Sequence, residues 1–341
     1  MQADLIQPSA AGLYCPAGDF YIDPMRPVAR AVVTHAHADH TRGGMGHYWC
    51  NREGAAITRQ RVHADADISA LEYGESMDFG PVRVSLHPAG HILGSAQIRV
   101  AHADQVWVVS GDYKRGADPT CTPFAPQPCD VFITESTFAL PVYRWQPTAE
   151  VVAEIYRWWQ HNAANGQPSV LFCYALGKAQ RVLAHLLQHS NRRVWLHGAM
   201  THLVQAYRDA GVAMIETEPV SKADRKYRFE QDLILAPPSA AGSTWMRRFP
   251  QHVSGFASGW MRIRGNRRRR GYDRGFILSD HADWPELLDT IDATGAERII
   301  IHHGRGDALL RHLQEQGSQA EQFQTRVRAE NNRSDDAPDE D

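Results

Sequence analysis

Three imidazoles and a carboxylate fall within six positions near the start of this chain, in Thr34-His35-Ala36-His37-Ala38-Asp39-His40, directly after the apolar Ala31-Val32-Val33. Packing so many polar rings together costs free energy unless something binds them. Neutral imidazole and carboxylate are the ordinary ligands of Zn²⁺ and similar ions, so the run predicts a metal site. His35 and His37 lie two apart and can point the same way from an extended segment. Asp39 and His40 follow where the chain can turn and face a second ion. Other residues able to bind metal or move a proton stand at the ends of later apolar runs: His91, Asp112, Glu135, His281 and His303.

Those runs predict the elements that deliver them. Ala31–Val33, Val82–Leu86, Val106–Val109, Val131–Ile133, Phe276–Leu278 and Ile299–Ile301 read as short buried strands, a common way for sheet-based enzymes to assemble a site. Between Glu135 and Phe276 the texture changes. Thr148–Asn162 reads as a helix and Ser169–Cys173 as a strand, and Gly177-Lys178 opens another helix. Arg193–Leu196 reads as a further strand, and the apolar Leu233–Ala236 precedes a Pro/Ser/Gly loop. This alternation predicts a second α/β unit with parallel strands, inserted into the first, to which the C-terminal strands return.

The chain has 341 residues, enough for one large or two medium domains, and a net charge of −3. Six acids against Arg333 after residue 328 read as a disordered acidic tail, and they leave the remainder slightly basic. Five cysteines without Cys-x-x-Cys spacing read as reduced thiols, so any metal is held by His and Asp. No apolar run has membrane-spanning length and no signal sequence opens the chain, which gives a cytoplasmic expectation with no membrane partner.

In these motifs the chain resembles the metallo-β-lactamase-fold hydrolases, and specifically their β-CASP nuclease branch. The matching pieces are Asp23 in Tyr21-Ile22-Asp23-Pro24, the His35–His40 run, His91 in Gly90-His91-Ile92-Leu93-Gly94-Ser95 and Asp112 in Ser110-Gly111-Asp112-Tyr113. Glu135 in Thr134-Glu135-Ser136-Thr137, His281 in Ser279-Asp280-His281-Ala282-Asp283 and His303 in His302-His303-Gly304 mark the nuclease branch. The resemblance implies an α/β fold: a metallo-β-lactamase αββα sandwich over residues 1–145 and 275–318, with a β-CASP α/β domain inserted at 146–274 and a polar tail at 319–341. It also implies two divalent ions per chain, zinc expected and manganese the alternative. His35, His37 and His91 would hold one and Asp39, His40 and His303 the other, with Asp112 bridging. Asp23 would orient an imidazole from behind. Such ions lower the pKa of a shared water and neutralise charge on phosphodiester oxygens. Asp39 and Asp112 then count with the catalytic set. His281, hydrogen-bonded to Glu135, is the candidate general acid for the leaving alkoxide; a satisfied buried histidine is the alternative.

Arg262, Arg264, Arg267, Arg268, Arg269 and Arg270 crowd before the strand that leads to His281, and Lys178 opens a helix; both suggest phosphate contacts. A solvated loop and simple helix capping are the alternatives. Phe20-Tyr21-Ile22-Asp23-Pro24, Arg26-Pro27-Val28 and Ser258-Gly259-Trp260-Met261-Arg262 are similar to bacterial ligase-associated DNA exonucleases. Those act in DNA repair alongside an ATP-dependent DNA ligase and a helicase. A histidine at position 303 instead resembles RNA 3′-end-processing members, whereas Artemis-like DNA enzymes lack it. DNA is the favoured substrate and RNA the runner-up. A small-molecule ester or thioester hydrolase of the same fold and a non-catalytic nucleic-acid-binding module rank below both.

Overall fold

The computed structural model describes residues 4–263 and 271–323. They form two compact units. The first takes in the described residues up to Ala117, Cys121–Tyr143 and those from His281 onward; the second takes in Asp118–Thr120 and Arg144–Asp280.

The first unit is built on two sheets. One runs in sequence order through β1 (Gln7–Pro8), β2 (Leu13–Cys15), β3 (Phe20–Ile22), β4 (Arg30–Val32), β5 (His47–Asn51) and β6 (Ile68–Leu71). Its first two pairings are antiparallel and the rest parallel. The other contains β7 (Ser76–Phe79), β8 (Val82–Pro88), β9 (Ala96–His102), β10 (Gln105–Val109), β11 (Val131–Ser136), β18 (Arg298–Gly304) and β19 (Gln319–Gln322), in the order β19-β18-β11-β10-β9-β8-β7. From β10 through β19 the pairing is parallel.

Alternation along these strands explains both the layering and the unbroken apolar runs. Val32, Trp107, Val109, Val131, Ile133 and Ile300 face a core shared by the two sheets. Their neighbours Val108, Phe132, Ile299 and Ile301 point the other way, onto α5 (Trp284–Thr294) and α6 (Asp307–Glu315) through Leu287, Ile291, Leu309 and Leu313. Ala31 and Val33 face α1 (Ala55–Val62) across a third cluster. A strand buried on both faces has no polar positions to alternate with. Each fully buried Val or Ile contributes about 1.5–3 kcal/mol.

The second unit holds a six-stranded, wholly parallel sheet of β12 (Ser169–Phe172), β13 (Val194–Leu196), β14 (Thr217–Pro219), β15 (Leu233–Ala236), β16 (Val253–Ala257) and β17 (Arg274–Phe276), ordered β14-β13-β15-β12-β16-β17. Its helices are α2 (Thr148–Ala164), α3 (Lys178–Leu186) and α4 (Gly198–Asp209). Val151, Val152, Ile155, Trp158 and Trp159 form the buried stripe of α2.

Two expectations change here. Gln319–Gln322, expected within the polar tail, pair with β18 as an edge strand. The strand expected at Phe276–Leu278 lies at Arg274–Phe276, and it closes the edge of the second unit's sheet instead of returning to the first. Phe276 packs edge-on to Trp158 of α2, with ring centroids 5.4 Å apart. The first unit resumes at His281.

Candidate metal centre

The polar residues gather at the carboxyl ends of parallel strands in the first unit. Asp23 follows β3, His35–His40 follow β4, Asp112 follows β10, Glu135 lies near the end of β11 and His303 near the end of β18. His91 sits in the turn after β8, and His281 in the turn before α5.

Ligand atoms of His35, His37, His91 and Asp112 lie within 4.8 Å of one another, as do those of Asp39, His40 and His303. His37 Nδ1 stands 3.1 Å from His35 Nε2 and 3.0 Å from His91 Nε2. Asp112 Oδ2 reaches 3.5 Å from His35 Nε2, 3.8 Å from His91 Nε2 and 3.4 Å from His40 Nε2, so one carboxylate faces both groups. Asp39 Oδ2 lies 3.7 Å from His40 Nε2 and 3.5 Å from His303 Nε2. Donors around a tetrahedral ion with bonds of about 2.0–2.1 Å stand about 3.3 Å apart, so these separations fit divalent ions. Asp112 Oδ1 and His40 Nε2 are buried without a hydrogen-bond partner among the described residues, a cost that a bound cation removes.

Surrounding hydrogen bonds aim the rings. Asp23 accepts from the Thr34 N–H at 2.7 Å, from the Thr34 hydroxyl at 2.6 Å and from His40 Nδ1 at 2.7 Å. His35 Nδ1 lies 3.0 Å from the Thr34 hydroxyl oxygen. With both Nδ1 atoms donating, the Nε2 atoms of His35 and His40 are directed at Asp112. Asp23 and His303 both adopt left-handed backbone, with φ of 45° and 57°, which non-glycine residues seldom do. The Ser136 hydroxyl donates to the His303 carbonyl at 2.6 Å, and a side chain at Gly304 would come 2.7 Å from the Ser136 backbone. Gly111 is constrained likewise: a Cβ there would lie 2.6 Å from Thr34.

Charge is partitioned inside the cluster. Burial, reinforced by His40, pushes His35 well below the ordinary imidazole range, leaving it neutral as a ligand must be. Burial acts the same way on His40, but Asp112 and Asp39 outweigh it and raise that imidazole well above its usual value. Asp112 is correspondingly held well below the carboxylate range against its burial, chiefly by His40. His302 is pushed down to about 3 by burial and by its neighbour His303; it stays outside both ligand groups.

His281 Nδ1 lies 3.0 Å from Glu135 Oε2, and Glu135 Oε1 accepts the Tyr113 N–H at 2.8 Å. The Ala282 N–H donates to the Tyr113 carbonyl at 2.6 Å, closing a ring of bonds around the imidazole. His281 also approaches the cluster, its ring centroid 4.6 Å from that of His91. Thr34, Tyr113 and Ser136 escaped the sequence reading because each acts through hydroxyl or backbone hydrogen bonds, which residue type and spacing do not mark. Thr34, directly before the His run, carried the one available signal.

The expected phosphate contacts fare differently. Lys178 is only 3% exposed, bonded to Asp280 at 2.9 Å and 4.8 Å over the Tyr174 ring, so it is a buried ion-pair partner instead of a phosphate contact. The first turn of α3 is buried, and no spacing rule reveals that. Arg262 is exposed in a short 3₁₀ turn at Gly259–Arg262. Arg264, Arg267, Arg268, Arg269 and Arg270 lie outside the described residues.

No family model matches the chain. Among curated proteins it is 33% identical over 315 residues to the "Probable DNA ligase" of Opitutus terrae, covering 91% of this chain but 30% of that protein. The chain thus spans under a third of that relative's length. It is 24% identical to a ribonuclease of Thermus thermophilus, over 85% of this chain and 84% of that one. An RNase J-like protein of Methanocaldococcus jannaschii is 25% identical over 46% of this chain and 43% of its own. Among solved structures, a protein of unknown function from Enterococcus faecalis shares the fold, with a TM-score of 0.55 and 13% identity over 82% of this chain and 76% of that one. The chain is thus similar over most of its length to a protein named as a ribonuclease and to part of one named as a DNA ligase.

Proposed function

We propose that this chain is a two-metal phosphodiesterase that cleaves nucleic acid strands, a DNA exonuclease working with a DNA ligase in repair. The observation that carries the DNA reading is the match of nearly the whole chain to part of a protein named as a DNA ligase. A ligase needs trimmed, compatible ends, and a nuclease in the same system would prepare them. The ribonuclease relatives and the placement of His303 beside Asp39 favour RNA processing as the second reading.

In this reading the first unit is an αββα metallo-β-lactamase domain and the second a β-CASP insertion. His35, His37 and His91 would hold one ion and Asp39, His40 and His303 the other, with Asp112 available to both. Zinc suits the nitrogen and oxygen donors, and manganese is the alternative. When bound, the ions supply an activated water and neutralise charge on the phosphodiester. Asp23 fixes the tautomer of His40. His281, with Nδ1 engaged by Glu135, uses Nε2 to protonate the leaving alkoxide. Glu135 orients that ring through its bond to Nδ1.

Parallel digestion of 5′-labelled and 3′-labelled single-stranded DNA and RNA of one sequence tests the assignment. Stepwise shortening of the DNA from one end supports it. Cutting of RNA alone would move the chain to the processing enzymes, and cutting of neither would remove the nuclease reading.

A further inference from the structure

The second unit carries a concave surface that the metal chemistry does not use. A groove of about 760 Å³ lies beyond the carboxyl ends of β13 and β14, lined by His197, Ser221, Arg225, Trp245, Arg247 and Arg248 among others. In parallel sheets this end is where ligands generally bind. The two bordering segments, Val220–Arg228 and Thr244–Arg248, contain Lys222, Arg225, Lys226, Arg228, Arg247 and Arg248 against one acid, Asp224.

The cations divide into two kinds. Arg248 is structural: its guanidinium donates to the carbonyls of Arg225 at 2.6 Å and of Asp224, and lies 5.2 Å over the Phe229 ring. Nearby Arg193 pairs with Glu218, and Arg192 with Asp232 at 3.7 Å. Arg225 and Arg247 are exposed and have no carboxylate partner among the described residues. Trp245, lining the same groove, is half-buried and braced edge-on by His197 at 4.7 Å and Phe249 at 4.8 Å between ring centroids. A braced indole sharing a groove with two exposed guanidinium groups suits a base stacked near backbone phosphates.

We propose that this groove is an accessory binding site for a single nucleic acid strand, in which Arg225 and Arg247 take phosphates and Trp245 stacks a base. The proposal rests on the nuclease reading and adds a second point of strand contact to it.

The test is fluorescence anisotropy of the full chain with a labelled phosphorothioate DNA strand of about 30 nucleotides, between about 50 and 200 mM salt. Arg225→Gln with Arg247→Gln should weaken binding about tenfold and flatten the log–log salt slope by about 1.4, near 0.7 for each lost cation on a single strand. Arg225→Lys with Arg247→Lys should restore the parent slope. Both side chains are exposed, and an unchanged unfolding midpoint verifies the fold. Parent-like affinity and slope in the glutamine variant, with the parent cutting labelled strands, would overturn the groove and leave the nuclease reading standing. A parent that neither binds nor cuts any strand removes both.

Discussion

His281 and Glu135 form a pair whose two members should differ in a measurable way. General acid catalysis is typically worth about 10²–10⁴-fold, so His281→Ala should cut strand cleavage by that order. A diester with a nitrophenolate leaving group needs little protonation, and its hydrolysis should fall much less. Glu135→Gln should show a milder form of the same pattern, since Glu135 holds Nδ1 at 3.0 Å without giving up a proton. Steady-state rates on both substrates provide the check; equal losses would assign His281 to metal binding or positioning. At this scale much was legible in the sequence. Three histidines and an aspartate in one short run are hard to explain without a ligand, and the structure brings them together with His91, Asp112 and His303. Lys178 was misread because a Gly-Lys pair at a helix start looks the same whether its ammonium meets solvent or, as here, a buried Asp280.

Helix and strand ends set where these side chains stand. Asp283 caps α5 by accepting the Glu286 N–H at 3.0 Å, and Glu286 reaches back to the Asp283 N–H at 3.3 Å. Losing such a cap costs about 1 kcal/mol. Asp283→Ala should therefore lower the melting temperature by about 2–4 °C, read by circular dichroism. A second buried device lies in the other unit, where Asp118 meets Arg181 at 3.5 Å and His185 at 3.1 Å. Burial opposes the Asp118 carboxylate, yet Arg181 and the His185 bond outweigh it and lower its pKa to about 2 from 3.8. A depressed folded-state pKa stabilises the fold above pH 3.8, and that contribution fades as pH falls toward 2. Denaturant midpoints of the parent and Asp118→Asn should therefore differ most above pH 4 and converge toward pH 2. A constant gap would mean that Asp118 is not held ionised. The strands named from the sequence lie within about three residues of those observed, because strands buried on both faces are apolar runs, whereas others such as β5, β6, β9 and β16 went unread. The sequence missed the place of Arg274–Phe276, since a three-residue strand carries no mark of which sheet it will join.

Over the whole molecule, the proposed function gives the arginine run a part in strand binding. Neutralising Arg267, Arg268, Arg269 and Arg270 should weaken strand binding and flatten its salt slope by about 3, near 0.7 per lost cation, with metal content unchanged. An unaltered slope would make that run a solvated loop. Substrate choice was the least legible feature, because telling DNA from RNA depends on where a 2′-hydroxyl would meet the protein. No described helix is long and apolar enough to cross a membrane. Everything proposed for the site depends on two ions at the donor groups that meet at Asp112. Elemental analysis of purified, metal-replete protein should find close to two divalent ions per chain, falling in Asp112→Ala; a folded chain with almost none would contradict a binuclear site.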